Sequence, residues 1–174
     1  ANEGLPHNVS LRPFWIDRTE VTVGEYRRCV MAGECALPGF AAGDPKHDVP
    51  ELPVTDVSWD DARRYCAFRG ARLPTEAEWE RAARGLRTRR FPWGMLPNAH
   101  LANHGALDSG SEILARYDLF IGVGEASDGF VGLAPVGQFP AGATPEGIHD
   151  LAGNVAEWVA DLWEDGYASV PLDN

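Results

Sequence analysis

Three stretches of the chain carry a helical alternation of apolar and polar residues, and each opens with the same punctuation. Thr22-Val-Gly-Glu25, Ser58-Trp-Asp-Asp61 and Thr75-Glu-Ala-Glu78 each place a hydroxyl three residues ahead of a carboxylate. Such a pair caps a helix N-terminus, because each side chain accepts a hydrogen bond from the other residue's otherwise unpaired backbone N–H. The spacing predicts a first helix to about Met31 with Gly33 at its end, a second to Arg69 stopped by Gly70, and a third closed by Gly85. Trp59, Ala62 and Cys66 recur at helical spacing on the second, and Trp79, Ala82 and Ala83 on the third, so both faces are expected to point to a core. Pro74 stands just ahead of the third cap, where it removes no helical hydrogen bond. The acidic pairs Asp60–Asp61 and Glu76–Glu78 fall in first turns, where they serve caps and dipole rather than acid–base chemistry.

Outside these helices the pattern weakens. Val9–Asp17 mixes apolar and polar residues in strand fashion, Pro135–Phe139 reads as a second strand, and Val155–Leu162 as a strand or short helix. Ala36–Pro53 is a Gly/Pro-punctuated loop, and residues 95–146 are glycine-rich with little periodicity. A loop region that long inside a compact domain needs something to hold it. It contains no cysteine, which makes a metal the better candidate.

Composition narrows the field. At 174 residues and 44% hydrophobic, residues 1–174 form one domain able to bury a core. A net charge of -11 excludes nucleic acid and anionic membrane as partners, because phosphate binding requires clustered Lys and Arg. The basic cluster Arg84–Arg90 is short and reads as solvated. No run is long and apolar enough to span a bilayer. Cys29 and Cys35 are spaced for a small-loop disulfide in an oxidising compartment, two independent thiols being the alternative. A bridge there leans toward an exported, periplasmic or extracellular protein. Cys66 is left over, and a helical cysteine of this kind is expected to be simply buried. His7, His47, His100, His104 and His149 are scattered, without the spacing of a helical zinc site, and read as surface residues. Gly122-Val-Gly124 is a glycine pair without phosphate-loop context.

One segment concentrates oxygen donors. Gly147–Trp158, GIHDLAGNVAEW, offers carboxylates at Asp150 and Glu157 and a turn of backbone carbonyls between them. Calcium takes six to eight oxygens of this mixed kind. Gly153 and Asn154 tolerate left-handed backbone angles that aim carbonyls inward. The plainer alternative is a polar turn, capped by Asp150, that leads into a buried strand.

The sequence resembles the sulfatase-modifying-factor family, whose best-known member is the formylglycine-generating enzyme. The matching segments run in order along the whole chain: Ile16–Thr22 (IDRTEVT), Pro53–Trp59 (PVTDVSW), Arg72–Gly85 (RLPTEAEWERAARG), Phe91–Gly94, Ala102–Asn103, Asp128–Phe130, Ala134–Val136 and Gly147–Trp158. The resemblance implies an α+β fold, an irregular C-type lectin-like variant low in regular secondary structure, held by two structural calcium ions. Carried across by position, one calcium would take the side chains of Asn103 and Asp128 with carbonyls of His104 and Phe130. The other would take the side chains of Asp150 and Glu157 with carbonyls of Gly153 and Val155. Asp150 stands where some relatives carry Asn, which keeps the oxygen and adds charge.

In active relatives a pair of cysteines near the C-terminus binds copper(I), and with oxygen converts a cysteine in a Cys-x-Pro-x-Arg context of a sulfatase to formylglycine. Nothing in the chain up to Asn174 matches that cysteine region, so no catalytic residue is carried over. Cys66 falls where some relatives form a structural disulfide to it. The chain opens at Ala1 without an initiator Met, and the expectation is a fold lacking its C-terminal strands, completed by further residues or a partner chain. The functional expectation is an oxidase of the formylglycine-generating type acting on a protein or peptide. The alternative is a non-catalytic, calcium-stabilised lectin-like module of a larger protein, toward which the missing thiol pair and Ala156, at a position often aromatic in relatives, both lean.

Overall fold

A computed structural model describes residues 8–104, 128–130 and 132–162. The three expected helices are present: α1 at Val23–Met31, α2 at Trp59–Phe68 and α3 at Glu76–Arg84. All three open with a reciprocal capping box, formed by Thr22 with Glu25, Ser58 with Asp61, and Thr75 with Glu78. Gly33, Gly70 and Gly85 follow the helix ends with positive φ, the conformation that releases the chain from a helix without Cβ strain. Short 3-10 turns at Ala99–Leu101 and Pro140–Gly142 pack on each other.

The strand expectations fail. Among the described residues there is no β-strand, only isolated antiparallel bridges at Thr22–Pro53 and Phe91–Gly94. Val9–Asp17 runs without a ladder partner. Pro135–Phe139 is instead a turn, in which Gly137 takes φ 72° and donates its N–H to the Asp150 carboxylate at 2.5 Å. Val155–Leu162 is neither strand nor helix but an irregular strap, tied down by single bonds. Trp59 donates its indole N–H to Val159 O (2.7 Å), Trp158 donates to Val57 O (3.0 Å), and Ala160 N donates to Pro74 O (2.8 Å). Asp161 accepts from the backbone N–H of Glu76 at the start of α3 (2.6 Å). Phe91 and Gly94 close a tight turn on each other through mutual backbone bonds, while most of the glycine-rich stretch lies outside the described residues.

Two apolar clusters form the core. In the first, Tyr26, Cys29, Cys35 and Tyr65 pack with Val21, Val30, Val54 and Val57 around it. A Cys29–Cys35 disulfide ties the end of α1 to the following turn, which settles the open alternative between bridge and thiols. Tyr65 stacks on Tyr26 with ring centroids 5.6 Å apart and carries the contact of α2 with α1. Trp59, Ala62 and Cys66, expected on the core face, are only half-buried, because Tyr65 rather than Cys66 reaches the cluster. In the second cluster Ala82 and Ala83 of α3 meet Ile148 and Leu151, flanked by Ile16 and Trp79. No described helix is long and apolar enough to cross a membrane.

Candidate metal centre and the adjoining cavity

The turn 150–155 is shaped by backbone before side chains. Asp150 (φ 58°) and Asn154 (φ 59°) both sit in the left-handed region that few residues other than Gly tolerate, and Gly153 takes φ 106°. The strain is held by Asn154, which makes a complete set of bonds. Its amide donates to Glu20 Oε1 (3.0 Å) and Ala134 O (3.2 Å), and its oxygen accepts from Asn103 Nδ2 (2.8 Å) and Ala134 N (3.0 Å). Its own N–H donates to Asn103 O at 2.7 Å. One side chain therefore joins the N-terminal segment, the loop at 132–134 and the two expected cation corners.

The first expected corner is assembled. Asp128, whose side chain is fully buried, accepts the N–H of His104 on one oxygen and that of Phe130 on the other, both at 2.9 Å. His104 Nε2 stands 3.8 Å from the same carboxylate. Asn103 is buried beside it and donates to Gly132 O at 2.7 Å. The expected residues Asn103, His104, Asp128 and Phe130 are thus neighbours, and the backbone N–H groups of His104 and Phe130 hold the carboxylate.

The second corner brings Asp150 and Glu157 to one place and adds a residue the sequence did not mark. Glu20 is only 9% exposed, and its Oε2 is buried with no hydrogen-bond partner. Burial first, then the charge of Asp150, a side-chain hydrogen bond shared with Asp150, and the charge of Glu157 push its carboxyl up to about 8, against the Asn154 bond. Burial also pushes Glu157 up, with Asp150 acting the same way, although the Trp79 indole donates to Glu157 Oε2 at 2.8 Å. An orphaned carboxylate oxygen among like charges is the environment a hard cation relieves. Among the described residues, no group of three or more His, Cys, Asp or Glu side chains stands arranged around one point. Calcium here would therefore lean on backbone carbonyls such as those expected from Gly153 and Val155, and the donor chemistry fits it.

Beyond this corner opens a cavity of about 930 Å³ that touches both core clusters. Its wall includes residues 16–17, 19–21, 54–57, 72–74 and 155–158, so four separate sequence motifs converge on it. Ala156, Glu157 and Trp158 face it, as does Cys66, whose thiol is pushed up by burial and by the charge of Asp17. Two histidines expected at the surface are not: His104 is largely covered, and His149 lines the cavity with Nδ1 buried. Among the described residues the thiols are the Cys29–Cys35 bridge and Cys66 alone, so they do not form the two-thiolate set that copper(I) favours.

The model of the sulfatase-modifying factor enzyme 1-like domain matches residues 1–172. The chain belongs to this family. Among curated relatives, inactive C-alpha-formylglycine-generating enzyme 2 of Bos taurus is 44% identical over 66% of this chain, which spans 34% of the cow protein. The formylglycine-generating enzyme of Streptomyces coelicolor is 33% identical over 92% of this chain and 62% of its own length. The solved structure of PvdO from Pseudomonas aeruginosa superposes with a TM-score of 0.73 at 28% identity, covering 99% of this chain and 66% of PvdO. The chain thus spans about a third of the cow relative and under two thirds of the Streptomyces one. The likeness to PvdO supports the same irregular architecture, with three helices and no strand among the described residues.

Proposed function

We propose that this chain is the scaffold part of an oxidase of the formylglycine-generating type, acting on a cysteine in a protein or peptide such as a sulfatase. The carrying observation is the convergence of the family's motifs on one cavity: residues 16–17, 19–21, 54–57, 72–74 and 155–158 meet there from distant parts of the chain. Calcium is its structural metal, bound at the Asp128 and Asp150 corners, and its role is to hold loops that bury little apolar surface. We assign the architecture to the irregular C-type lectin-like class. The buried Cys29–Cys35 bridge supports an exported location.

The oxidase reading assigns copper to thiolates other than the three cysteines here, and this chain's residues shape the cavity instead. The test uses the intact natural protein, loaded with copper, and a Cys-x-Pro-x-Arg peptide under oxygen. Aldehyde formation, read with an aminooxy probe and by mass, is the expected result. Its absence, with calcium-dependent binding of the peptide retained, would establish the second reading, a non-catalytic binding module. Two observations favour that second reading: the lone cavity thiol Cys66, and a relative at 44% identity whose name declares it inactive.

A further inference from the structure

The Cys29–Cys35 bridge stands at one end of an unbroken line of contacts that runs to the cavity. Cys35 is buried but lies between exposed residues, 31–34 on one side and 36–37 on the other. Among the described residues, 35–38 make one hydrogen bond, in which Ala36 O accepts from the Tyr26 hydroxyl at 3.1 Å. The covalent bond at Cys35 is therefore what keeps Ala36 in place for Tyr26. Tyr26 is fully buried and stacks on Tyr65. The Arg69 guanidinium lies over the Tyr65 ring, 5.9 Å from its centre, and donates to Asp17 at 2.9 Å. Tyr26, Tyr65, Arg69 and Asp17 all line the cavity, and so does Cys66. A bond with two discrete states is the kind of element through which one site biases another.

We propose that the Cys29–Cys35 bridge is a redox latch on the cavity: oxidised, it holds the Tyr26–Tyr65 wall in its binding shape, and reduced, it releases that wall. This rests on the reading of the cavity as the binding site and adds its regulation. The reductant is a dithiol. One of its thiolates attacks the Cys35 sulfur and breaks the S–S bond, and the resulting mixed disulfide is resolved by its second thiol. The dithiol leaves as a disulfide, and Cys29 and Cys35 each end with a proton. The consequence is a cavity that becomes competent only in an oxidising compartment, so that the chain does not engage its substrate before it arrives there.

Cys66 provides the probe, because its thiol is half-buried in the cavity wall. The intact protein, oxidised or reduced with dithiothreitol and desalted, is pulsed with N-ethylmaleimide, and labelling at each cysteine is read by peptide mass. Binding of a Cys-x-Pro-x-Arg peptide with Ser in place of its Cys is measured by calorimetry on the same samples. Reduction is expected to speed labelling of Cys66 and to weaken the peptide, each by at least about fivefold. Tyr26→Phe, which removes the bond to Ala36 and leaves the bridge, should move both readouts the same way in the oxidised protein. Gly129→Ala, a strained turn outside the wall, should move neither. An unchanged Cys66 rate once Cys29 and Cys35 are labelled would overturn the latch, as would an equal acceleration in Gly129→Ala. Loss of the helical circular dichroism signal on reduction would also overturn it, since the bridge would then hold the whole fold. A Cys66 rate that responds while the peptide binds in neither state would overturn the substrate reading and leave the latch standing.

Discussion

The carbonyl oxygen of Asn103 occupies the space that a β-carbon on residue 153 would need, so Gly153 is required by packing as well as by its φ of 106°. Leu101 stands in the same relation to Gly142. Residues 101–103 are thus pressed backbone to backbone against two different loops, and this contact places the Asp128 corner next to the Asp150 corner.

Gly153→Ala is expected to cost about 3 kcal/mol, combining left-handed strain with a backbone overlap that no side-chain movement relieves. Gly129, also at positive φ but with open space around it, should cost only about 1 kcal/mol when changed to Ala. Urea unfolding of the two variants side by side checks the difference.

Asn154→Ala removes four side-chain bonds at once and strands the Ala134 N–H, while Glu20 loses its one donor. The expected loss is about 3 kcal/mol, well above an exposed Asn→Ala change. Thermal unfolding reads it.

Arg72 holds Glu78 with two bonds of 2.7 Å, and the Thr75 N–H adds a third at 2.9 Å. The Arg72 guanidinium holds the Glu78 carboxyl below its ordinary 4.5, against the cost of burial. A carboxyl lowered in the folded state stabilises above its unfolded value and loses that contribution as pH falls through the folded one. Glu78→Gln should cost about 1 kcal/mol at neutral pH, since the Arg72 side of the pair faces water and is screened. It should also flatten the fall in stability below pH 4.5, measured by urea midpoints across an acid series.

The Cys29–Cys35 bridge closes a loop with a sequence separation of 6 and is buried within the first core cluster. Replacing both cysteines by Ser should cost about 2 kcal/mol from loop entropy alone, and more from the hydroxyls left in an apolar site. A midpoint shift on adding reductant to wild type, absent in the double variant, separates the two contributions.

The helices were legible because their signals are local: each capping box needs only four consecutive residues, and all three formed at the expected positions. The strands were misread because Pro135–Phe139 is a turn and Val155–Leu162 is held by single bonds to distant segments, while Val9–Asp17 joins no ladder. Trp158 is apolar in the pattern, yet its indole is spent on Val57 O. The expected cation ligands could be named through family motifs, and the structure brings Asp150 near Glu157 and Asp128 near His104 and Phe130. Glu20 could not be singled out, since a lone acid between Thr19 and Val21 says nothing until the chain folds back on it.

The Glu20–Asn154 bond also sets a timetable for synthesis, since its partners are separated by 134 positions. At ribosomal speeds of about 5–20 residues per second, the N-terminal segment waits on the order of ten seconds for the turn that receives it. During that interval α1, its disulfide and the first cluster with Val21 can form, but the Glu20 carboxylate lacks its Asn154 donor. The first cluster can therefore close well before the corner around Glu20 does, and the two parts of the fold mature at different times.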